Sequence, residues 1–189
     1  MTSETETETE TENGRRALLV VDLQAGVVDG AYRRDAVLCT AADLVERARG
    51  AAAPVIWIQH ADSELVRGSP AWQIVDELDP QPGEVRVEKA YGDAFAETAL
   101  GTVLDDLGVT EVVLVGAASE QCIRSTMHGA VIRGYDVVLV KGGHTTTDLT
   151  DFGLPDPATV VSFMDAVAGF GMQWPDASAR SVPASAVGF

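Results

Sequence analysis

The chain has 189 residues, 46% of them apolar, a size that suits one domain with a substantial core. Its formal charge of -16 sets it against phosphate backbones and anionic lipid, so neither nucleic acid nor a membrane surface is expected as a partner. No stretch carries the basic start and apolar run of a secretory signal, or the roughly 18 apolar residues of a membrane helix, which leads to the expectation of a cytoplasmic protein.

Residues 1–14, MTSETETETETENG, mix Thr and Glu with no apolar residue after Met1. Such a segment cannot bury enough surface to offset its ordering entropy, and it is expected to be a disordered acidic tail before one domain over 15–189. The first apolar run is ALLVVDL from Ala17, followed by a helical pattern over Asp35 to Gly50 carrying Ala36, Leu38, Ala42, Val45 and Ala48. A second run, PVIWIQ from Pro54, leads into a long insertion from Ala61 to Gln81, of the kind that often covers a site. EVRVEK from Glu84 is the third run, and Ala94 to Leu107 reads as the next helix, with Phe95, Leu100, Val103 and Leu104 on one face. EVVLVGA from Glu111 is followed by a helix that opens at SEQC and whose apolar face is Ile123, Met127 and Val131. DVVLVKG from Asp136 is the fifth run; Ala158 to Ala168 reads as a last helix and Ser181 to Phe189 as a short edge strand. Gly108 and Gly134 stand where left-handed caps would end helices directly before strands.

Apolar residues on consecutive positions are what strands covered on both faces require. Their alternation with helices predicts an α/β fold: a three-layer, Rossmann-like domain with a mostly parallel sheet flanked by helices. Ligands of such sheets bind at the carboxyl ends of the strands. Those ends carry Asp22 and Gln24, Gln59 and His60, Lys89, Ala117 through Cys122, and His144 to Thr146.

Cys122 falls at the start of a helix, with Ser119 as a candidate N-cap. Unpaired amides and the helix dipole favour a thiolate there, lowering its pKa and supplying a nucleophile, and the same amides could hold an oxyanion. The ordinary role of a free cysteine is to pack as a small hydrophobe, and Cys39, within a helical pattern, is read that way. The two cysteines lack disulfide or zinc spacing and are expected to be free thiols. Asp22 ends an apolar strand, where a carboxylate is costly unless paired or functional. Lys89, one of two lysines in the chain, also ends a strand, and a lysine beside an aspartate keeps it ionised. Either residue could instead be a solvated loop charge. His60, Asp62 and His144 lack the close spacing of a metal set, so no metal is expected. Trp72 and Tyr91 could line a pocket, as could Phe95, whose alternative is the core. No GxGxxG or P-loop sequence follows the first strand, so no nucleotide cofactor is expected.

Taken together, LLVVDLQAGV, QH after the second run, EKAYGDAF, GAASEQCIRSTMHGAVIRGYDVVLV and GGHTTTD resemble the isochorismatase-like cysteine hydrolases. The resemblance covers nearly all of the chain after Arg15 and is most specific around Cys122. It implies a triad of Asp22, Lys89 and Cys122, an oxyanion hole from the amides of Ala118 and Cys122, and a cis peptide joining Ala117 to Ala118. Around them it implies a small-molecule pocket, for which Gln24, His60, Trp72, Tyr91, Phe95, His144 and Thr145 are the candidates. It further implies hydrolysis of a small amide or related C–N bond through a cysteine acyl-enzyme, without a cofactor, in a homo-oligomer, dimer or tetramer. The sequence departs from the nicotinamidase pattern where an Asp-x-His metal set is replaced by His60-Ala61-Asp62. It also departs at Ala90 and Asp93, where many relatives have Pro and Ser, and at Gly142, where an Asp is common. The rival readings are a vinyl ether hydrolase of the isochorismatase type, which does not need the cysteine, and a catalytically silent oligomeric binding protein on the same scaffold.

Overall fold

Each apolar run becomes a strand because its alternate residues have separate helical layers to bury against. In the computed structural model, which describes residues 14–189, the strands are β1 (Arg15–Val21), β2 (Val55–His60), β3 (Val85–Lys89), β4 (Val109–Ala117), β5 (Asp136–Thr145) and β6 (Ala179–Pro183). The helices are α1 (Ala25–Val28), α2 (Arg34–Gly50), α3 (Leu100–Asp106), α4 (Arg124–Val131) and α5 (Pro157–Phe170). The proposed acidic tail lies outside the described residues except for Gly14. Among the described residues no helix is long and apolar enough to cross a membrane.

The six strands are all parallel, in the order β3-β2-β1-β4-β5-β6. Leu18 and Val20 of β1, with Trp57, Val113, Val115, Val138 and Val140, pack against Leu38, Ala41, Leu44 and Val45 of α2. Ala17, Leu19 and Val21, with Ile58, Val112, Leu114 and Leu139, face Leu100 and Leu104 of α3, Met127 of α4 and Met164 and Ala168 of α5. This is the expected three-layer arrangement, with both faces of a parallel sheet covered. The chain runs outward from β1 to β3 in one direction, then crosses back to β4 and outward in the other. The switch between β1 and β4 opens a crevice at their carboxyl ends.

Three boundaries differ from the sequence reading. The helix expected from Ala94 begins only at Leu100, because Glu97 is left-handed (φ 54°) and Asp93 and Thr98 side chains cap backbone groups within the segment. The edge strand sits at Ala179–Pro183 and not over 181–189; Pro183 has no N–H to continue the pairing, and a short turn over Ala184–Ala186 follows. β5 runs on to Thr145, its pairing with β4 jumping from Leu114–Leu139 to Gly116–His144. Gly142, at φ 75°, permits that bulge. Both caps expected at Gly108 and Gly134 are left-handed, at φ 64° and 90°.

Gly116 is where two strand ends meet most closely. Its φ is 141°, and a Cβ there would overlap the carbonyl oxygen of Val21, the residue before Asp22. Gly116→Ala is therefore expected to push the end of β1 away and destabilise the fold by about 3 kcal/mol. Urea unfolding of the variant checks this; an unchanged midpoint would contradict it.

Candidate active site

Asp22 follows the last residue of β1 in the left-handed region (φ 51°), a conformation Asp tolerates better than most residues. Its amide donates to the Ile58 carbonyl at 2.9 Å, which fixes it to the end of β2. Lys89 ends β3, two strands away, paired in register with His60 of β2. Its side chain reaches over β2 and loses all exposure to solvent, while the Asp22 side chain keeps 2%.

A fully buried ammonium must find partners for its three N–H groups, or burial would neutralise it. Lys89 Nζ finds three: Asp22 Oδ2 at 2.6 Å, Cys122 Sγ at 3.3 Å and His60 Nδ1 at 3.4 Å. Beyond that ion pair, neither Asp22 oxygen has a hydrogen-bond partner among the described residues. Burial raises the Asp22 carboxyl above its ordinary pKa, and the Lys89 charge opposes the rise without cancelling it.

Cys122 lies in a five-residue π-type turn, Ser119–Ile123, that leads directly into α4. Such single π turns inside helices recur at functional sites. Ala118 precedes it, the Ala117–Ala118 peptide is cis, and the Ala118 carbonyl accepts from the amides of Gln121 and Ile123, both at 3.1 Å. Ser119 is not the side-chain cap that its position suggests. It is fully buried, its Oγ 2.8 Å from His144 Nδ1 and donating to the Thr145 carbonyl at 2.9 Å, so it ties the turn to β5.

The expected lowering of the Cys122 pKa is also reversed. Burial, and then the Asp22 charge, push the thiol up to about 11, against a smaller opposing effect of Lys89. The resting sulfur is therefore a thiol, and a base must remove its proton before it can attack.

A cavity of about 350 Å³ opens above the cluster at the β1–β4 crevice. Asp22, His60, Ala117, Ala118 and Cys122 line it, as the sequence led one to expect, with Lys89 beneath them. The other pocket candidates lie elsewhere. Gln24 is buried as a clamp, its amide donating to the His60 and Trp72 carbonyls and accepting from the His60 amide. Trp72 takes part through that carbonyl, and Phe95 is in the core, stacked on Tyr135 with the Arg133 guanidinium over its ring. Tyr91 is half exposed at a separate depression beside Glu97. His144 and Thr145 are buried supports of the Ser119 turn.

Gln121 and Thr146, which the sequence places at the strand ends, also line it, and the sequence reading missed Val27, Ala31, Gly92, Ser125 and Thr147. Ser125, three residues after Cys122 along one helical stretch, could have been found from its periodicity; Val27 and Ala31 carry no signal of their own. The long insertion contributes Asp62, whose Oδ2 lies 3.0 Å from His60 Nε2. It is held over the end of β1 by bonds from Ala25 and Gly26 to the Gln73 and Ala71 carbonyls. Among the described residues no three His, Cys, Asp or Glu side chains gather as a metal-binding group. Cys39 is a free thiol exposed on α2.

A six-stranded parallel α/β domain with a buried Asp–Lys pair under a cysteine at its switch point is the class that fold and site define. The profile of the Isochorismatase domain matches residues 16–152, and the chain belongs to the isochorismatase family. A streptothricin hydrolase of Streptomyces noursei is 40% identical over 141 residues, 71% of this chain and 56% of that protein. A maleamate amidohydrolase of Pseudomonas putida is 33% identical over 88 residues, 46% of this chain and 41% of that protein. The chain spans about half the length of these curated relatives. The crystal structure of an isochorismatase from Pseudomonas putida superposes with a TM-score of 0.82 at 26% identity, over 92% of this chain and 90% of that one.

A thiol held near 11 by burial and by Asp22 makes a direct prediction for its chemistry. Alkylation of Cys122 by iodoacetamide should be slow at neutral pH and climb toward an apparent pKa of about 11. Asp22→Asn, which removes the raising charge, should shift that titration downward. Mass-spectrometric rates at Cys122 across a pH series check both; a plateau already at neutral pH would contradict them.

Proposed function

We propose that the chain hydrolyses the C–N bond of a small amide through an acyl-enzyme on Cys122. The observation that carries this reading is Lys89 Nζ lying between Asp22 Oδ2 and Cys122 Sγ beneath an open cavity. Asp22, its basicity raised by burial, takes the thiol proton as Cys122 attacks the carbonyl carbon. The amides of Ala118 and Cys122 receive the developing oxyanion. Asp22 returns the proton to the leaving amine, and a water, deprotonated by Asp22, then cleaves the thioester. Lys89 keeps the carboxylate ionised at rest and stabilises the thiolate as it forms. The two relatives named as a streptothricin hydrolase and a maleamate amidohydrolase support hydrolysis as the reaction class.

Residues that act as one unit lose function together. Cys122→Ala, Asp22→Asn and Lys89→Met should each lower kcat/KM on the best amide by about a thousandfold or more, and double variants by little more. Lys89→Met removes the charge that lowers the Asp22 carboxyl, so any residual activity should have its acid limb at higher pH. Circular dichroism of each variant separates lost chemistry from lost fold. Near wild-type turnover in Cys122→Ala would overturn the cysteine mechanism in favour of a water-based route such as vinyl ether cleavage.

The reading includes a homo-oligomer, dimer or tetramer. Phe163 and Phe170 of α5 are 62% and 92% exposed, and Phe152 is 80% exposed, more aromatic surface than a lone subunit gains by presenting to water. Light scattering should give a dimer or tetramer mass; a monomer at all concentrations would refute it.

A further inference from the structure

The charge of the cavity is one-sided. No lysine or arginine lines it among the described residues, and the nearest ammonium, Lys89, is engaged with Asp22, Cys122 and His60. The Asp22–Lys89 pair cancels at close range. What remains facing a ligand is Asp62, 44% exposed and with Oδ2 3.0 Å from His60 Nε2, and Glu120 bonded to the lining residue Thr146. The amides of Leu65 and Glu64, and then His60, hold the Asp62 carboxyl below its ordinary range, so it is charged at neutral pH. Glu120 Oε1 accepts from Thr146 Oγ1 at 3.0 Å, whereas its Oε2 is buried with no hydrogen-bond partner among the described residues. Gln121, Ser125 and Thr147 add only neutral polar groups.

We propose that this cavity selects amides bearing a positive charge, an ammonium or guanidinium group, and disfavours those bearing a carboxylate. As a statement about substrates it rests on the amide-hydrolysis reading above. A bound cation gains a charge-assisted hydrogen bond from Asp62 and Coulomb attraction from both Asp62 and the buried Glu120 carboxylate. A carboxylate would leave water, meet no lysine or arginine in the lining and face Asp62, with only neutral donors such as Gln121 and Ser125 to offset the loss. The charge of -16 over the whole chain adds to the effect by concentrating cations near the cleft.

The test has two arms on the full-length chain. In the first, Cys122 is modified by aminoethyl methanethiosulfonate, a cation, or by sulfonatoethyl methanethiosulfonate, an anion. In each case the cysteine sulfur displaces methanesulfinate to form a mixed disulfide. Exposed Cys39 on the same molecule is the reference, so the field of the whole protein largely divides out. The cation-to-anion rate ratio at Cys122 should exceed that at Cys39 by about tenfold or more, and should fall in high salt. It should also fall in Asp62→Asn and in Glu120→Gln. An equal or inverted ratio overturns the proposal.

In the second arm, ammonia release is compared for aminobutyramide, butyramide and succinamate, which share a short chain and differ in charge. The expected order of kcat/KM is cationic, neutral, anionic, with about tenfold or more between the extremes. If succinamate is the best substrate, charge selection is refuted while amide hydrolysis stands. If none turns over yet Cys122 selects the cationic reagent, charge selection stands and amide hydrolysis on these compounds is refuted.

Discussion

The arrangement depends on one interaction, the burial of the Lys89 ammonium against the Asp22 carboxylate at 2.6 Å under Cys122. Taking two charges out of water costs several kcal/mol for each, and their attraction repays this only where the remaining donors and acceptors are also placed. A hydrophobic pair would fill the same space at lower cost. The pair makes physical sense as a device at the switch point, where the β1–β4 crevice lets a ligand approach a carboxylate that no solvent reaches from the sides. Much of the neighbourhood serves it: Gly116 gives the end of β1 its room, the Ile58 carbonyl fixes Asp22, and the register of β2 with β3 sets His60 beside Lys89.

The same burial decides the electrostatics. A helix start favours a thiolate, yet desolvation and the neighbouring Asp22 charge outweigh it and leave the sulfur protonated at rest. Desolvation also makes Asp22 a stronger base than a carboxylate in water. The two shifts run together: proton transfer from sulfur to carboxylate exchanges one buried anion for another beside the same ammonium. That exchange needs little net reorganisation of charge, which suits the proposed mechanism, in which the proton moves out and back within one cycle.

The fold was legible where both faces of the sheet are buried, because unbroken runs such as Leu18 to Val21 and Val112 to Val115 admit few other readings. It was less legible where a single backbone conformation decides, as at left-handed Glu97, or where the pairing ends at Pro183. In the site, the residues at strand ends could be read directly, since strand direction places Asp22, His60, Lys89 and Cys122 at one edge. The pocket walls could not. Whether Phe95 turns to the core and Val27 to the cavity depends on how connecting segments fold back, and residue type does not encode that. Nor could the thiol be judged, because the sequence displays the helix start but not the desolvation around it.

Partitioning to an added nucleophile reads the proposed acyl group on Cys122 most directly. Amides that share one acyl group but differ in leaving amine are hydrolysed in the presence of hydroxylamine, and hydroxamate and free acid are both quantified. A common acyl-enzyme forgets its leaving group, so one hydroxamate-to-acid ratio is expected for every member of the series. A ratio that changes with the leaving amine would contradict it, because the nucleophile would then be meeting the intact substrate and not a shared thioester.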